Sequence, residues 1–162
     1  MALLAAVAAL AGCGADDGEQ IVSGPGFTFS APAGWEVEAG GRTASASPGA
    51  GATELVSVRV FRLARPYRPQ LWDTVVPELD RVARDLAEQL GGRIVSSAVV
   101  VVDGRRAKRY EIRYERDDAE IVERTAFVLE GRRELQLICR YGADDADAAE
   151  ACDLLFSTLT LA

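Results

Sequence analysis

Apolar and polar residues alternate along most of the chain, and short runs of this alternation predict strands. Each run is bounded by Gly, Pro or Asp, which are residues that favour turns. The predicted strands cover residues 27–30, 35–38, 43–47, 54–63, 93–102, 106–116, 120–130, 133–141 and 157–161. Short turns such as Asp103-Gly104 connect the four long strands between residues 93 and 141, which favours antiparallel hairpins.

Helical spacing of apolar residues predicts a long helix over residues 73–90, ended by Gly91-Gly92. Its apolar stripe consists of Val75, Val76, Leu79, Val82, Ala83, Leu86 and Leu90. With Asp73 as the N-cap, Pro77 falls among the first four helical residues, whose N–H groups have no partner within the helix. The proline is therefore compatible with this helix.

A second helix is predicted over residues 144–156, and Asp145, Asp147 and Glu150 lie near its start. These acids could suggest a calcium site. A calcium loop needs a glycine turn, whereas these residues have helical spacing. We interpret them as acids placed where the helix dipole favours negative charge, and we predict no metal site.

The order of these elements predicts the fold class. Strands follow one another, two helices interrupt them, and no regular strand–helix–strand repeat is present. This order predicts an α+β fold in which helices cover an antiparallel sheet.

The N-terminal segment has a different pattern, an apolar run over residues 2–11 followed by Gly12 and Cys13. This is the pattern of a bacterial lipobox, in which the cysteine thiol takes a diacylglyceryl group and the leader before it is removed. The run is shorter than the roughly 20 apolar residues that span a bilayer. It departs from a usual signal because no Lys or Arg precedes it. The alternative is a buried N-terminal helix with an incidental cysteine.

We therefore predict three segments and a location. They are a signal peptide over residues 1–12, the lipidated Cys13 with a flexible linker over residues 13–26, and an α+β domain over residues 27–162. The linker would reach roughly 20 Å as a flexible coil. The predicted location is the extracytoplasmic face of the cell membrane, to which the lipid holds the protein.

Composition excludes several classes of function. The net charge of -7 disfavours a general nucleic-acid partner. The chain contains no histidine, which removes Ser-His and Cys-His catalysis and any histidine-ligated metal. No cofactor motif is present among the remaining residues.

Two cysteines remain once Cys13 is assigned to the lipid: Cys139 and Cys152. Alternation places Cys139 on one face of its strand, and helical spacing places Cys152 on the apolar stripe of the last helix. If this helix packs on that face, the two sulfurs point into the same space. A disulfide is predicted outside the cytoplasm, and two buried free thiols are the alternative.

Four short motifs resemble the PsbP-like superfamily, especially the bacterial lipoproteins described as LpqN-like or DcrB-like. They are Phe27-Thr28-Phe29 with Pro32-Ala33-Gly34-Trp35, the helix ending at Leu90-Gly91-Gly92, Val101-Val102-Asp103-Gly104 with Ala107-Lys108-Arg109-Tyr110, and Leu135-Gln136-Leu137-Ile138-Cys139 with the Cys152 helix. The resemblance implies an α/β/α sandwich and a largely non-enzymatic group of accessory, assembly or binding proteins at membranes. It carries over no catalytic residue.

Basic residues form two candidate groups. Arg59, Arg62, Arg65 and Arg68 recur every third residue, but Arg59 and Arg62 lie at an odd spacing in one strand and so face opposite ways. We therefore reject a single anion-binding ladder. Arg105, Arg106, Lys108 and Arg109 cluster at a hairpin tip, where they could contact anionic lipid headgroups. A solvated hairpin is the favoured interpretation.

Aromatic residues near loops supply the remaining candidates. Trp35 opens a strand, and core packing is the favoured interpretation for it. Tyr67 and Trp72 flank the proline-rich segment before the long helix. Because aromatic residues are enriched where proteins bind partners, we predict a recognition edge at Tyr67 and Trp72.

The expected function is non-catalytic: binding or accessory work in the cell envelope, with another envelope protein as partner. A second hypothesis is a carrier for a lipid or small apolar ligand, which an apolar cavity under the long helix would favour. A third is hydrolysis by a carboxylate pair, which requires two carboxylates about 5–10 Å apart in a cleft. We expect no enzyme and no cofactor.

Overall fold

The computed structural model describes residues 18–162. The elements in chain order are β1 Glu19–Gly24, β2 Phe27–Pro32, β3 Glu36–Gly40, β4 Thr43–Ser47, β5 Leu55–Arg62, a 3₁₀ turn Pro69–Leu71, α1 Trp72–Gln89, β6 Arg93–Val102, β7 Arg105–Arg116, β8 Ala119–Glu130, β9 Arg133–Gly142, α2 Ala146–Thr158 and β10 Thr160–Leu161. The strands predicted between residues 93 and 141 are confirmed to within one or two residues.

The strands form two antiparallel sheets. The larger sheet has seven strands in the order β3-β4-β5-β9-β8-β7-β6, and the smaller has three in the order β1-β2-β10. Helix α1 packs on β6 and β7, whereas α2 packs on β2, β5 and β9. The predicted α+β class, an antiparallel sheet covered by helices, is confirmed.

Side-chain alternation divides the buried residues of the large sheet between its two faces. On β9, Leu135, Leu137, Cys139 and Tyr141 face α2 and the small sheet, where the largest buried cluster lies. On the other face, Phe127 of β8 and Tyr110 of β7 pack under α1 with Leu79 and Ala83. The sheet therefore has an α2 face and an α1 face, and buried side chains stabilise both.

The predicted linker over residues 13–26 is wrong for the part that forms β1, which pairs with β2 along Glu19–Gly24. Val22 faces the core and is fully buried, while Ile21 on the opposite side is exposed. The neighbouring Gly and Asp residues obscured this short alternation. Pro25 and Gly26 form the two-residue turn between β1 and β2, so the glycines that predicted a linker belong to a hairpin.

The predicted start of α1 is also wrong. Helix α1 begins at Trp72 and its N-cap is Leu71, so Asp73 lies inside the helix. The preceding 3₁₀ turn leads directly into α1 and advances its first residue. Pro77 therefore lies beyond the first four positions, where it removes one hydrogen bond of the helix ladder.

Candidate functional site

Strand pairing brings several arginine-bearing turns to one end of the large sheet. Arg62 at the end of β5 pairs with Arg133, and Glu130 at the end of β8 pairs with the same residue. The β6–β7 turn closes at the same end, where Val102 pairs with Arg105. We call this region the arginine end. Its arginines are Arg42, Arg62, Arg65, Arg68, Arg105, Arg106, Arg132 and Arg133.

Glu130 holds two of these arginines in place. Its Oε1 accepts a hydrogen bond from Arg105 Nε at 2.7 Å, and its Oε2 accepts one from Arg133. Burial raises the pKa of Glu130, but the hydrogen bonds from Arg105 and Arg133 outweigh burial and hold that pKa below its ordinary value. The hydrogen bond to Glu130 raises the pKa of Arg105. This network joins the β6–β7 turn to the β8–β9 turn.

Arg133 extends the network to the small sheet. Its guanidinium donates to the carbonyl oxygen of Gly26 at 3.3 Å and to that of Ala162 at 3.0 Å. Asp103 accepts from Arg105 and also from the backbone N–H of Leu161 at 3.0 Å. Arg105 and Arg133 therefore hold turns and the C-terminal strand together.

The other arginines of this end bind no carboxylate of the described chain, although Arg132 donates to the carbonyl oxygen of Ala64 at 3.4 Å. Within residues 18–162, no carboxylate lies within 4.0 Å of their guanidinium groups, and all of them are exposed. They are Arg42, Arg62, Arg65, Arg68, Arg106 and Arg132. Because a guanidinium stays charged at any physiological pH, this end presents a permanent positive surface.

Two surface clefts lie among these arginines. The first, of about 370 Å³, is lined by Arg42, Val60, Phe61, Arg62, Arg132 and Arg133. The second, of about 260 Å³, is lined by Tyr67, Pro69, Gly104, Arg105, Arg106 and Leu129. Each cleft combines an apolar floor with guanidinium groups, which suits a ligand that carries both carboxylates and apolar side chains.

The structure separates the two residues of the predicted recognition edge. Tyr67 is half-buried, lines the second cleft, and its N–H donates to the carbonyl oxygen of Gly131 at 2.6 Å. Trp72 is only 6% exposed, and the Arg106 guanidinium lies 5.9 Å from its ring centroid. The prediction of Trp72 as an exposed contact residue is therefore wrong: it supports Arg106 from below. A contact role for Tyr67 stays a prediction.

The predicted hairpin cluster is divided by strand alternation. Arg105 belongs to the Glu130 network, and Arg106 lies over Trp72. Lys108 lies 4.0 Å from Asp80 of α1 and 5.7 Å from the ring centroid of Tyr110. Its Nζ is therefore directed to α1, and only Arg105 and Arg106 reach the clefts of the arginine end.

The four-arginine ladder is also absent as a patch, as alternation predicted. Arg59 donates to the hydroxyl of Thr43 at 3.2 Å and lies over the ring of Phe61. Arg62 points the other way, where it lines the first cleft with Arg132. No local sequence pattern shows this grouping, because the partners of Arg62 come from turns that are distant along the chain.

A second group that sequence reasoning missed is Glu134. It lies on the α1 face between Phe61 and Leu129, its neighbours on the adjacent strands. Burial raises its pKa above the ordinary value. Among the described residues no arginine or lysine pairs with it, in contrast to Glu130 nearby.

The opposite end of the large sheet carries a larger cleft, of about 800 Å³. We call it the acidic end, and its cleft is lined by Asp118, Ala119, Glu120, Gly142, Ala143, Asp144, Asp145, Ala146 and Asp147. Asp145 accepts a hydrogen bond from the Ala148 N–H at 2.9 Å and is the N-cap of α2, as expected of acids at a helix start. Glu120 pairs with Arg113 at 3.5 Å. Between residues 18 and 162, no group of three or more metal-ligating side chains is placed to hold a metal ion.

Cys139 of β9 and Cys152 of α2 form a disulfide, with Cα atoms 5.5 Å apart. Both are buried in the main core. The predicted disulfide is confirmed, and it attaches α2 covalently to the central strands of the sheet.

The described chain begins at the acidic end. The carbonyl oxygen of Gly18 accepts a hydrogen bond from the Ala33 N–H at 2.8 Å. Gly18 lines a cleft of about 460 Å³ with Trp35, Asp147 and Glu150. Trp35 also packs against the main core, as predicted.

The predicted lipid site at Cys13 and the signal peptide lie outside the described residues. In the described part of the chain, no helix has the length and apolar character needed to cross a membrane.

The region under α1, where a carrier would need a cavity, contains packed side chains. Leu79, Ala83, Tyr110, Phe127 and Leu129 form one buried cluster there. The Tyr110 hydroxyl donates to Asp80 at 2.6 Å, which ties the sheet to the helix. The side chains beneath α1 are thus packed together, whereas the clefts at the surface are open to a ligand.

No protein-family model matches this chain, and no curated protein matches it. Similar solved structures exist at low sequence identity. The chain is similar to cyanobacterial PsbP (CyanoP) from Synechocystis sp. PCC 6803, with a TM-score of 0.64 and 13% identity over 94% of this chain and 99% of that one. It therefore has the PsbP-like fold.

Two further structures are similar. LpqN, involved in cell envelope biogenesis of Mycobacterium tuberculosis, has a TM-score of 0.58 and 12% identity over 90% of this chain and 92% of that one. A protein from Bacteroides thetaiotaomicron has a TM-score of 0.60 and 12% identity over 85% of this chain. The match spans 45% of the length of that protein. At these identities the comparisons show the fold alone.

Proposed function

We propose that this chain is a lipoprotein of the cell envelope, anchored through Cys13, that binds another envelope protein without catalysing a reaction. The lipobox pattern ending at Cys13 supports the anchor, and the disulfide suits an oxidising compartment outside the cytoplasm. LpqN, which has a similar fold, is described as involved in cell envelope biogenesis. This supports the envelope as the place of action.

The observation that carries the binding role is the surplus of arginines at the arginine end. Glu130 uses two arginines, while six others are exposed without a carboxylate partner in the described chain. Arginine forms bidentate hydrogen bonds with carboxylates and is enriched at protein interfaces. The proposed partner therefore presents an acidic face, with apolar side chains that enter the two clefts.

The net negative charge of the chain favours binding of an acidic partner at the arginine end over the rest of the surface. The chain as a whole carries a net charge of -7, so an acidic partner is repelled by most of its surface. Like-charge repulsion suppresses wrong orientations, and attraction at the arginine end guides the correct one. The partner is thus directed to Tyr67 and the arginines around it.

The position of the anchor agrees with this role. Cys13 and Gly18 are five residues apart, and that length spans at most about 18 Å when fully extended. The tether would attach at the acidic end, because Gly18 lies there. The arginine end is therefore not obstructed by the tether.

Two measurements test the proposal. Intact-mass analysis of the membrane-extracted protein should show a chain that begins at Cys13 and carries acyl chains. Replacing Cys13 with Ser should release the protein from the membrane fraction. An unacylated chain that keeps its leader would overturn the anchor.

The binding role is tested by chemical crosslinking in intact cells. The triple variant Arg62→Gln, Arg106→Gln, Arg132→Gln should lose a reproducible crosslinked neighbour. The matched control Arg84→Gln, Arg93→Gln, Arg116→Gln neutralises as many exposed arginines elsewhere and should keep the neighbour. Equal loss in both variants, or no reproducible neighbour for the parent protein, would contradict binding through the arginine end.

A further inference from the structure

Two neighbouring arginines of β7 differ in what holds them. Arg105 donates to Glu130 at 2.7 Å and to the carbonyl oxygen of Asp103 at 2.8 Å, so its guanidinium is used within the chain. Arg106 is the next residue, and successive side chains of a strand point to opposite faces of the sheet. It is exposed on the α1 face, and no carboxylate of residues 18–162 lies within 4.0 Å of its guanidinium. Arg106 is therefore free to bind a carboxylate from outside the chain.

The aromatic ring beneath Arg106 belongs to Trp72, the first residue of α1. The guanidinium carbon lies 5.9 Å from the ring centroid, within the range of a cation–π contact. Trp72 is buried, so the packing of α1 fixes the ring. The segment before it is also held, because the Tyr67 N–H donates to the carbonyl oxygen of Gly131 at 2.6 Å. A ring fixed in this way limits the orientations of the guanidinium that stacks on it.

Arg106 lines the second cleft together with apolar groups. Tyr67, Pro69 and Leu129 line the same cleft. Its volume of about 260 Å³ lies below the roughly 300–1,000 Å³ of pockets for drug-sized ligands, so it suits a side chain better. A planar guanidinium presents two parallel N–H donors that match the two oxygens of a carboxylate. The cleft thus combines a donor pair for a carboxylate with an apolar wall.

We propose that the second cleft receives a glutamate or aspartate side chain of the partner, and that Arg106 binds its carboxylate through two hydrogen bonds. Trp72 is the positioning residue that orients this guanidinium. Apolar side chains beside the carboxylate in the partner contact Tyr67 and Leu129. The inference rests on the proposed function, because it names the group that the arginine end recognises.

A lysine substitution separates recognition by the guanidinium from attraction by charge. Lysine keeps the positive charge but lacks the planar pair of donors. With a photoreactive amino acid at Arg68 in intact cells, Arg106→Lys should lower the yield of the crosslinked neighbour about fivefold, nearly as much as Arg106→Gln. Arg116→Lys is the matched control and should keep the yield. Arg116 is also exposed and lies 5.9 Å from the ring centroid of buried Tyr114, at the β7–β8 turn.

A double-mutant cycle separates positioning from a structural role of Trp72. Trp72→Leu removes the ring and should lower the yield about fivefold, whereas Trp72→Phe keeps a ring and should retain most of the yield. In the Arg106→Gln background, Trp72→Leu should have no further effect, because the side chain that the ring orients is gone. An equal loss in both backgrounds would show that Trp72 acts through folding and would overturn its positioning role.

The carboxylate is tested with a defined probe on the purified protein. The chain contains two tryptophans, Trp72 beneath Arg106 and Trp35 at the acidic end, so fluorotryptophan labelling gives one fluorine NMR signal for each end. A leucine-glutamate-leucine tripeptide blocked at both termini should shift the Trp72 signal, whereas its glutamine counterpart should not. The Trp35 signal should stay in place with both. Equal shifts of the Trp72 signal with the two peptides, or none with either, would overturn carboxylate recognition.

The crosslinking outcomes also separate this inference from the proposed function. If Arg106→Gln loses the neighbour while Arg106→Lys and the parent protein capture it equally, charge alone acts. The inference is then wrong, but binding through the arginine end stands. If the parent protein captures no reproducible neighbour, the proposed function is contradicted and the inference fails with it.

Discussion

The two ends of the large sheet use their charges differently. At the acidic end, Asp145 caps α2 and Glu120 pairs with Arg113, and the nearby disulfide attaches α2 to β9. At the arginine end, Glu130 binds two arginines, and the remaining arginines bind no carboxylate of the described chain. Both ends also carry charges without a partner in the described chain: Asp118, Asp144 and Asp147 bind no arginine or lysine within 4.0 Å, and six arginines bind no carboxylate.

On the proposed function, the arginine end is the binding surface, because its clefts combine apolar side chains with guanidinium groups. Exposed like charges contribute little to folding and repel one another. On the proposed function, the six arginines without a carboxylate partner in the described chain, four of which line the two clefts, serve a partner and not stability. The following predictions test each side of the comparison, beginning with the largest effect.

The disulfide should make the largest contribution to stability. Its cysteines are 13 residues apart, and closing a loop of this length stabilises by about 3 kcal/mol. We expect the double variant Cys139→Ala, Cys152→Ala to lose about that much free energy of unfolding in a urea titration. The parent protein under reducing conditions is the matched comparison. A loss near zero would show that packing alone holds α2.

Removing the Glu130 carboxylate should have the next largest effect. Glu130→Gln weakens charge-assisted hydrogen bonds to Arg105 and Arg133, which we expect to cost about 2 kcal/mol at pH 7. Because the folded pKa of Glu130 lies below its ordinary value of 4.5, its stabilisation is present above that pH and is lost as pH falls through the folded pKa.

The difference in unfolding free energy between Glu130→Gln and the parent should therefore shrink below about pH 4. Urea titrations at pH 7 and pH 3 measure it. An equal difference at both values would mean that the carboxylate charge is not what holds the two turns together.

The N-cap of α2 should give a smaller effect at the acidic end. Asp145→Ala removes the acceptor of the Ala148 N–H and should cost about 1 kcal/mol. Asp147→Ala, in the first turn of the same helix, should cost only a few tenths of a kcal/mol through the helix dipole. If Asp147→Ala costs as much as Asp145→Ala, the acids act through charge and not as a cap.

Glu134 should give the smallest effect, with the opposite sign. Burial raises its folded pKa, so the parent protein loses stability as pH rises from 4.5 through that folded pKa. Glu134→Gln should stabilise the protein at pH 7 by about 0.5 kcal/mol and should match the parent at pH 3. Destabilisation at pH 7 would show that this carboxylate has a partner in solution.

Local patterns predicted much of the fold. The bounds of β6 to β9 follow from alternation between turn residues, and the Cys139–Cys152 pairing follows from two apolar faces. β1 was missed because six residues between glycines give a weak alternation. Trp72 was misplaced because the helix begins one residue earlier than Asp73 and directs that ring inward.

The candidate site required the three-dimensional register. Arg42, Arg62 and Arg132 lie in separate turns and strands, and only the strand order β4-β5-β9-β8 brings them to one cleft. Arg106 was predicted within a hairpin cluster, but its position over Trp72 depends on the packing of α1. No local pattern contains this information.

Photo-crosslinking from the two ends tests the central claim most directly. A photoreactive amino acid at Arg68 samples the arginine end, and one at Asp118 samples the acidic end. We predict that in intact cells the Arg68 position captures one reproducible envelope protein with an acidic surface, and that the Asp118 position does not capture it. Capture of the same protein from Asp118 with equal yield, or of none from Arg68, would contradict the account.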